Sequence, residues 1–163
     1  MTFASLLQYA AAGSLTNLID GRAKATRWAY DQYGRVGSKV DALGTNVFAY
    51  GYDADDRVTT RTDAVSRVTS FLYDAVANLT NVVYPNLTNR YAYDALNRLT
   101  NMVDTAGTTA FGYNTNGLVA FEDGPWADDT VSFDYNTARL RTGLTLLQPN
   151  ASAWVQNYGY DSI

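Results

Sequence analysis

The sequence predicts an all-β protein made of consecutive antiparallel β-hairpins, each repeat about 21 residues long. Three observations predict it. A tyrosine recurs at Tyr9, Tyr30, Tyr52, Tyr73, Tyr93, Tyr113, Tyr135 and Tyr160, at intervals of 21, 22, 21, 20, 20, 22 and 25 residues. Two residues before each stands Leu7, Trp28, Tyr50, Phe71, Tyr91, Phe111, Phe133 or Tyr158, aromatic in seven cases of eight. A short stretch with a turn position at its end follows six of these tyrosines at a constant offset. These two columns hold 15 of the 22 aromatic residues, and they assign residues 1–163 to a single repeat domain.

The first strand of each repeat carries the aromatic pair. Residues i and i+2 share a strand face, so the two rings point the same way. The residue between them is often small (Ala29, Gly51, Ala92, Gly112, Gly159), which predicts a flat opposite face there. A polar stretch follows, opened by Asp31, Asp53, Asp74, Asp94 or Asp161, with Asn114 and Asn136 substituting and Ala10 the exception. An Asp at that place is expected to accept hydrogen bonds from backbone N–H groups two residues on. The turn ends at Gly13, Gly34, Asp56, Ala77, Asn97 or Gly117, where positive φ is expected, with Ala77 the least suited.

The second strand alternates apolar residues, as in Leu15 and Ile19, Val36 and Val40, Leu79 and Val83, and Leu99 and Val103. A threonine column (Thr16, Thr59, Thr80, Thr100) runs between them, in keeping with the strand preference of Thr. A second turn follows at 41–44, 63–66 and 104–107. The copy at Tyr135 reads as irregular: "NTARLR" is one residue short and has no turn glycine. Equivalent tyrosines of successive hairpins are expected to stack. At about 0.5–1.5 kcal/mol for each of at most seven contacts, such a column contributes roughly 3–10 kcal/mol.

Composition narrows the function. The chain has no Cys and no His, which removes thiolate and imidazole chemistry and leaves carboxylates, Lys and Tyr. A net charge of −4, without a basic cluster, argues against nucleic acid as a partner. No apolar run approaches the roughly 20 residues of a membrane-spanning helix. The opening "MTFASLLQYAAAG" lacks the positive start of a signal peptide.

Tyr93-Asp94 followed by Asn97-Arg98-Leu99, and Tyr30-Asp31 followed by Gly34-Arg35-Val36, resemble the RHS or YD repeat, and the likeness runs from Leu7 to Asp161. The resemblance implies a curved or spiralling hairpin sheet, an open segment of a hollow YD shell. Such shells occur in bacterial polymorphic toxins, toxin-complex cocoons and teneurin ectodomains. It implies that Trp28, Tyr30, Asp31, Tyr50, Tyr52, Asp53, Phe71, Tyr73, Asp74, Tyr91, Tyr93, Asp94, Phe111, Tyr113, Phe133, Tyr135, Tyr158 and Tyr160 are structural repeat residues. It also implies a secreted or cell-surface bacterial location. The self-cleaving "DPxG"-like segment that ends the toxin shells has no counterpart; "FEDGPWADD" at 121–129 has its ingredients in another order.

The expected role is therefore a structural, non-enzymatic wall segment that encapsulates or displays cargo such as a toxin. No catalytic residue, metal site or cofactor is expected. A calcium ladder along the repeated Asp residues would need six to eight oxygens per ion, and one carboxylate per repeat does not supply them. Glu122 and Asp123 are the acidic residues that stand apart from the repeat. Asn78, Asn86 and Asn150 fit the glycosylation pattern by coincidence of repeat position. Neither end reads as capped, which predicts either a piece of a larger shell or edge-to-edge joining of copies. The alternative function is a self-assembling extracellular β-module, tube or filament, or a carbohydrate- or protein-binding surface. Expected partners are further YD repeats of the same or a neighbouring chain, an enclosed toxin polypeptide and glycans.

Overall fold

The protein is described here by a computed structural model over residues 5–149 and 152–161. Its strands are β1 (Leu6–Tyr9), β2 (Leu15–Ile19), β3 (Ala25–Tyr30), β4 (Val36–Val40) and β5 (Asn46–Tyr52). They continue with β6 (Val58–Asp63), β7 (Val68–Tyr73), β8 (Leu79–Val83), β9 (Thr88–Tyr93) and β10 (Leu99–Val103). The last are β11 (Thr108–Tyr113), β12 (Val119–Asp123), β13 (Val131–Tyr135), β14 (Arg141–Leu146) and β15 (Trp154–Asn157). The described residues include no helix. All fifteen strands belong to one open sheet whose spatial order is the chain order. Short turns permit nothing else: a hairpin connection of a few residues delivers each strand antiparallel beside the one before it. Contacts group the chain into two compact units, Met1–Leu72 with Val82–Asn86 and Tyr73–Asn81 with Leu87–Ile163.

Among the described residues Val82, at 5% exposure, is the one buried hydrophobic side chain. Most strand residues are half-buried, so stability comes from neighbour-to-neighbour cross-strand pairs rather than from a core between layers.

The register corrects the expected alternation in the second strands. Opposite Tyr93 stands Leu99, but Ala92 faces Asn101, so one residue is skipped. The same shift separates Leu15 from Asn17, Val36 from Ser38, Val58 from Thr60, Val119 from Phe121 and Arg141 from Gly143. A bulge of this kind places two residues opposite one and changes which face the following residues occupy. Leu99 therefore shares the tyrosine face with Met102, while Val103 pairs with Arg90 on the other face. Thr16, Thr59 and Thr100 are the skipped residues, and the hydroxyls of Thr16 and Thr100 donate to the opposing carbonyls of Gln8 and Ala92. The threonine column belongs to the bulge.

The opposite face is filled, not flat. A Cβ on Gly51 would overlap the Thr60 hydroxyl, and one on Gly112 would overlap the ring of Phe121. Tyrosine stacking is also corrected. Phe48 and Tyr50, a ring pair among the described residues, meet 6.2 Å apart within a single strand. Equivalent strands of successive hairpins are separated by the second strand between them, about 9.6 Å at ~4.8 Å per strand, beyond the 4.5–7 Å of a ring pair.

The turns follow the expected pattern. Positive φ occurs at Gly13 (84°), Gly34 (80°), Asp56 (62°), Ala77 (69°), Asn97 (58°) and Gly117 (78°). The copy at Tyr135 is in phase, contrary to expectation. Arg139 takes the left-handed position at φ 65°, its N–H donating to Asn136 O at 2.9 Å, and Asn136 N donates to Leu140 O at 2.9 Å.

Candidate functional site

The side chains that repeat with the tyrosines converge on the turn. In the turn after β3, Asp31 Oδ1 accepts the N–H groups of Tyr33 (2.9 Å) and Arg35 (3.0 Å), and its Oδ2 accepts Arg35 Nε at 2.7 Å. Asp53 repeats this with Asp55, Arg57 and Arg57 Nε at 2.9, 3.0 and 2.7 Å. Asp94 does so with Leu96, Arg98 and Arg98 Nε at 2.8, 3.0 and 2.7 Å. Asp63 uses Val65, Arg67 and Arg67 Nε in a turn of the second kind. In the turn after β7, Asp74 holds the N–H groups of Val76 and Asn78, and Asn78 Nδ2 replaces the guanidinium at 2.9 Å. Asn114 keeps both backbone bonds at 3.0 Å, and Asn136 keeps the one to Leu140.

At Asp31, Asp53, Asp63 and Asp94 these bonds lower the carboxyl pKa. For Asp94 the largest cause is the Arg98 guanidinium, followed by the Arg98 N–H; for Asp63 it is the Arg67 N–H. At Asp31 and Asp53 burial works the other way, but the backbone and guanidinium bonds from Arg35 and Arg57 outweigh it. Asp20 is lowered by the N–H groups of Lys24 and Arg22.

The arginine also reaches the next repeat. Arg35 donates through Nη1 to Asp53 O (3.2 Å) and Asp56 Oδ1 (2.6 Å), and its guanidinium lies 4.5 Å from the Tyr52 ring centre. Arg98 lies 4.3 Å over Tyr113 in the same way, and Asn78 Nδ2 donates to Asn97 Oδ1 at 3.0 Å. The carbonyl beside each arginine then receives the tyrosine hydroxyl. Tyr52 donates to Val36 O at 2.9 Å and Tyr113 to Leu99 O at 2.8 Å. Tyr30 donates to Leu15 O, Tyr93 to Leu79 O, Tyr135 to Val119 O and Tyr160 to Arg141 O, all within 2.8–3.0 Å. Burial raises the pKa values of Tyr52 and Tyr93.

Trp28, Tyr50, Phe71, Tyr91, Phe111 and Phe133 lie on the tyrosine face of the same strands. Trp28 pairs with Lys39, whose Nζ is 5.6 Å from the ring; Tyr50 pairs with Arg61, Tyr91 with Met102, Phe111 with Glu122 and Phe133 with Leu144. Arg141 sits 4.7 Å over Phe133. Phe71 and Tyr73 close β7, and Tyr158 N donates to Thr142 O beyond β15. The arginines are what sequence reasoning left without a role. Their signal was there, an Arg four residues after Asp at 31/35, 53/57, 63/67 and 94/98.

Of the acidic residues outside the repeat, Asp123 accepts the Thr130 hydroxyl and Glu122 pairs with Val131 and Phe111. Among the described residues no group of three or more His, Cys, Asp or Glu is placed to hold a metal ion. Asn150 lies outside the described residues.

Residues 52–88 match the family model of the RHS Repeat. That stretch is similar to the RHS repeat. No curated protein matches the chain. The sheet is similar to the crystal structure of TcdB2-TccC3-Cdc42, with a TM-score of 0.82 at 15% identity, and to that of TcdB2-TccC3, with 0.82 at 14%. Each likeness covers 95% of this chain and 10% of the other, so the chain spans about a tenth of the length of the structures it matches. At that identity the likeness establishes the fold.

Proposed function

We propose that this RHS sheet is a structural, non-enzymatic wall segment, one repeat domain of a shell that encloses or displays a polypeptide cargo such as a toxin. One observation carries the reading. The side chains that recur with the period are used on the sheet itself: Asp caps the turn, Arg bridges to the next turn, and the tyrosine hydroxyl ties its hairpin to the one before. A catalytic or ligand site needs polar groups that converge on an empty space. Here the repeated polar groups converge on each other.

The fold shared with TcdB2-TccC3 structures supports the same reading, as does an arrangement that extends by adding hairpins. Further RHS repeats are its expected neighbours, and a secreted or cell-surface setting is the expected place of work. Limited proteolysis of the intact protein that contains this chain tests it. A polypeptide protected in the native protein should become cleavable when Asp53→Ala and Asp94→Ala together open the sheet. A protein with no protected segment, or one still protected after the sheet opens, would overturn the reading.

A further inference from the structure

We infer that Lys39 and Arg61 form a docking site on the tyrosine face of β3–β6 for an acidic segment of another polypeptide, held in extended form through its carboxylates. The inference rests on side chains that break the repeat, and it stands whether or not the sheet forms a wall.

The residue three places after the head of a second strand faces the residue two places before the repeat tyrosine. Leu18 faces Leu7, Met102 faces Tyr91 and Leu144 faces Phe133, so packing against the partner side chain asks only for an apolar residue there. Glu122 takes the place once, opposite Phe111. In two successive hairpins it is a cation: Lys39 faces Trp28, and Arg61 faces Tyr50. The hairpin period does not call for either charge.

These cations are held differently from the turn arginines. Lys39 Nζ lies 5.6 Å from the Trp28 ring centre, and the Arg61 guanidinium lies 4.6 Å from that of Phe48. Arg35 also lies over a ring, 4.5 Å from Tyr52, but its Nε and Nη1 are bound to Asp31 and Asp56. Neither Lys39 nor Arg61 has an ion pair or a side-chain hydrogen bond among the described residues. A cation over a ring face is positioned by the ring yet keeps its charge and its N–H donors. The neighbouring carboxylates are already bonded. Asp63, opposite Phe48, accepts Val65 N, Arg67 N and Arg67 Nε, and Asp41 accepts Leu43 N and Thr45 N.

Spacing and access select the occupant. Trp28, Lys39, Phe48 and Tyr50 are half-buried and Arg61 is exposed, so the patch is open to a partner. Trp28 and Phe48 face Lys39 from the strands on either side of it. The two ring-held cations therefore stand about 9.6 Å apart, at ~4.8 Å per strand, too far for one phosphate or carboxylate to bridge. Acidic residues two to four places apart on an extended chain span roughly 7–14 Å and reach both. A nucleic acid would need free ring faces for its bases, and these rings already carry the cations.

Three labelled probes test this on the whole chain by fluorescence anisotropy: an eight-residue peptide alternating Glu and Ala, its counterpart alternating Gln and Ala, and an oligothymidine of eight nucleotides. The Glu peptide should bind at least about tenfold more tightly than the Gln peptide. Its binding should weaken as salt rises from about 10 to about 150 mM and the screening length falls from ~30 to ~8 Å. Lys39→Gln and Arg61→Gln should each weaken it roughly three- to fivefold, and together they should bring it near the Gln peptide. Arg61→Lys keeps the charge and should keep most of the binding, which separates a lost charge from a disturbed sheet. Arg27→Gln removes the same charge from the opposite face of β3, where Arg27 pairs with Val40, and should leave binding unchanged. Equal affinity for the two peptides, no binding of either, or indifference to both Gln substitutions would overturn the inference. So would weakening by Arg27→Gln as large as that by Arg61→Gln, or oligothymidine bound as tightly as the Glu peptide.

Discussion

Ala77 holds a left-handed backbone at φ 69°, as do Ala23 at 59° and Ser66 at 63°. The repeat tolerates an L-residue at a corner where Gly13, Gly34 and Gly117 sit without strain, because the Asp-capped turn overdetermines the conformation. Left-handed backbone costs an L-residue about 1–2 kcal/mol, part of which glycine gives back in unfolded-chain entropy. Ala77→Gly should therefore raise stability by about 0.5–1 kcal/mol, read as a higher urea midpoint, and Gly34→Ala should lower it by a similar amount. A midpoint that falls in Ala77→Gly would show that the turn does not impose its conformation. The turn carboxylates can be ordered the same way. Asn114 already accepts both backbone N–H groups, so Asp94→Asn should keep the turn and lose only the Arg98 pair. Asp94→Ala loses all three bonds, so its urea midpoint should fall further than that of Asp94→Asn.

Besides the strand ladder, three devices join the hairpin of Arg35 to the next: the Tyr52 hydroxyl on Val36 O, the guanidinium over the Tyr52 ring, and the bridge to Asp56 in the following turn. Tyr93→Phe isolates the hydroxyl at another hairpin. Losing the bond to Leu79 O should cost about 0.5–1.5 kcal/mol, while Tyr93→Ala should cost more because the half-buried ring goes too. Indistinguishable stabilities for Tyr93 and Tyr93→Phe in thermal melts would remove the hydroxyl from the account. Gly112 tests the far face. Gly112→Ala should destabilise because its methyl overlaps the Phe121 ring, and Phe121→Ala in the same chain should relieve most of the added penalty. Additive losses would mean that the two residues do not meet.

Because stability is shared along a sheet with little buried core, charge state acts on many turns at once. Asp20, Asp31, Asp53, Asp63 and Asp94 have pKa values lowered on folding. A group with a lowered folded pKa stabilises the fold above its unfolded value, and that contribution disappears as pH falls through the folded one. The urea midpoint should be level from pH 7 to about 5 and decline below about pH 4, near the ordinary Asp value. Replacing Asp31, Asp53 and Asp94 together with Asn should flatten the decline while lowering the plateau. An acid limb unchanged by the triple substitution would place the titration elsewhere.

Much of this architecture is written locally. Two rings two residues apart mark a strand face, an Asp with a Gly or Asn three residues on marks a turn, and a period near 21 residues repeats the unit. Those relations span a few covalent neighbours, and even the left-handed corner at Ala77 could be located from its place in the period. The bulge was not legible, because skipping Thr100 depends on where the partner strand's Tyr93 and Ala92 lie. Nor was the way the tyrosines are joined. A column drawn in sequence puts Tyr93 beside Tyr113, but in space the strand beginning at Leu99 lies between them. At two strand spacings rings do not touch, whereas a phenol reaching sideways meets the nearest carbonyl, and only the folded neighbour supplies it.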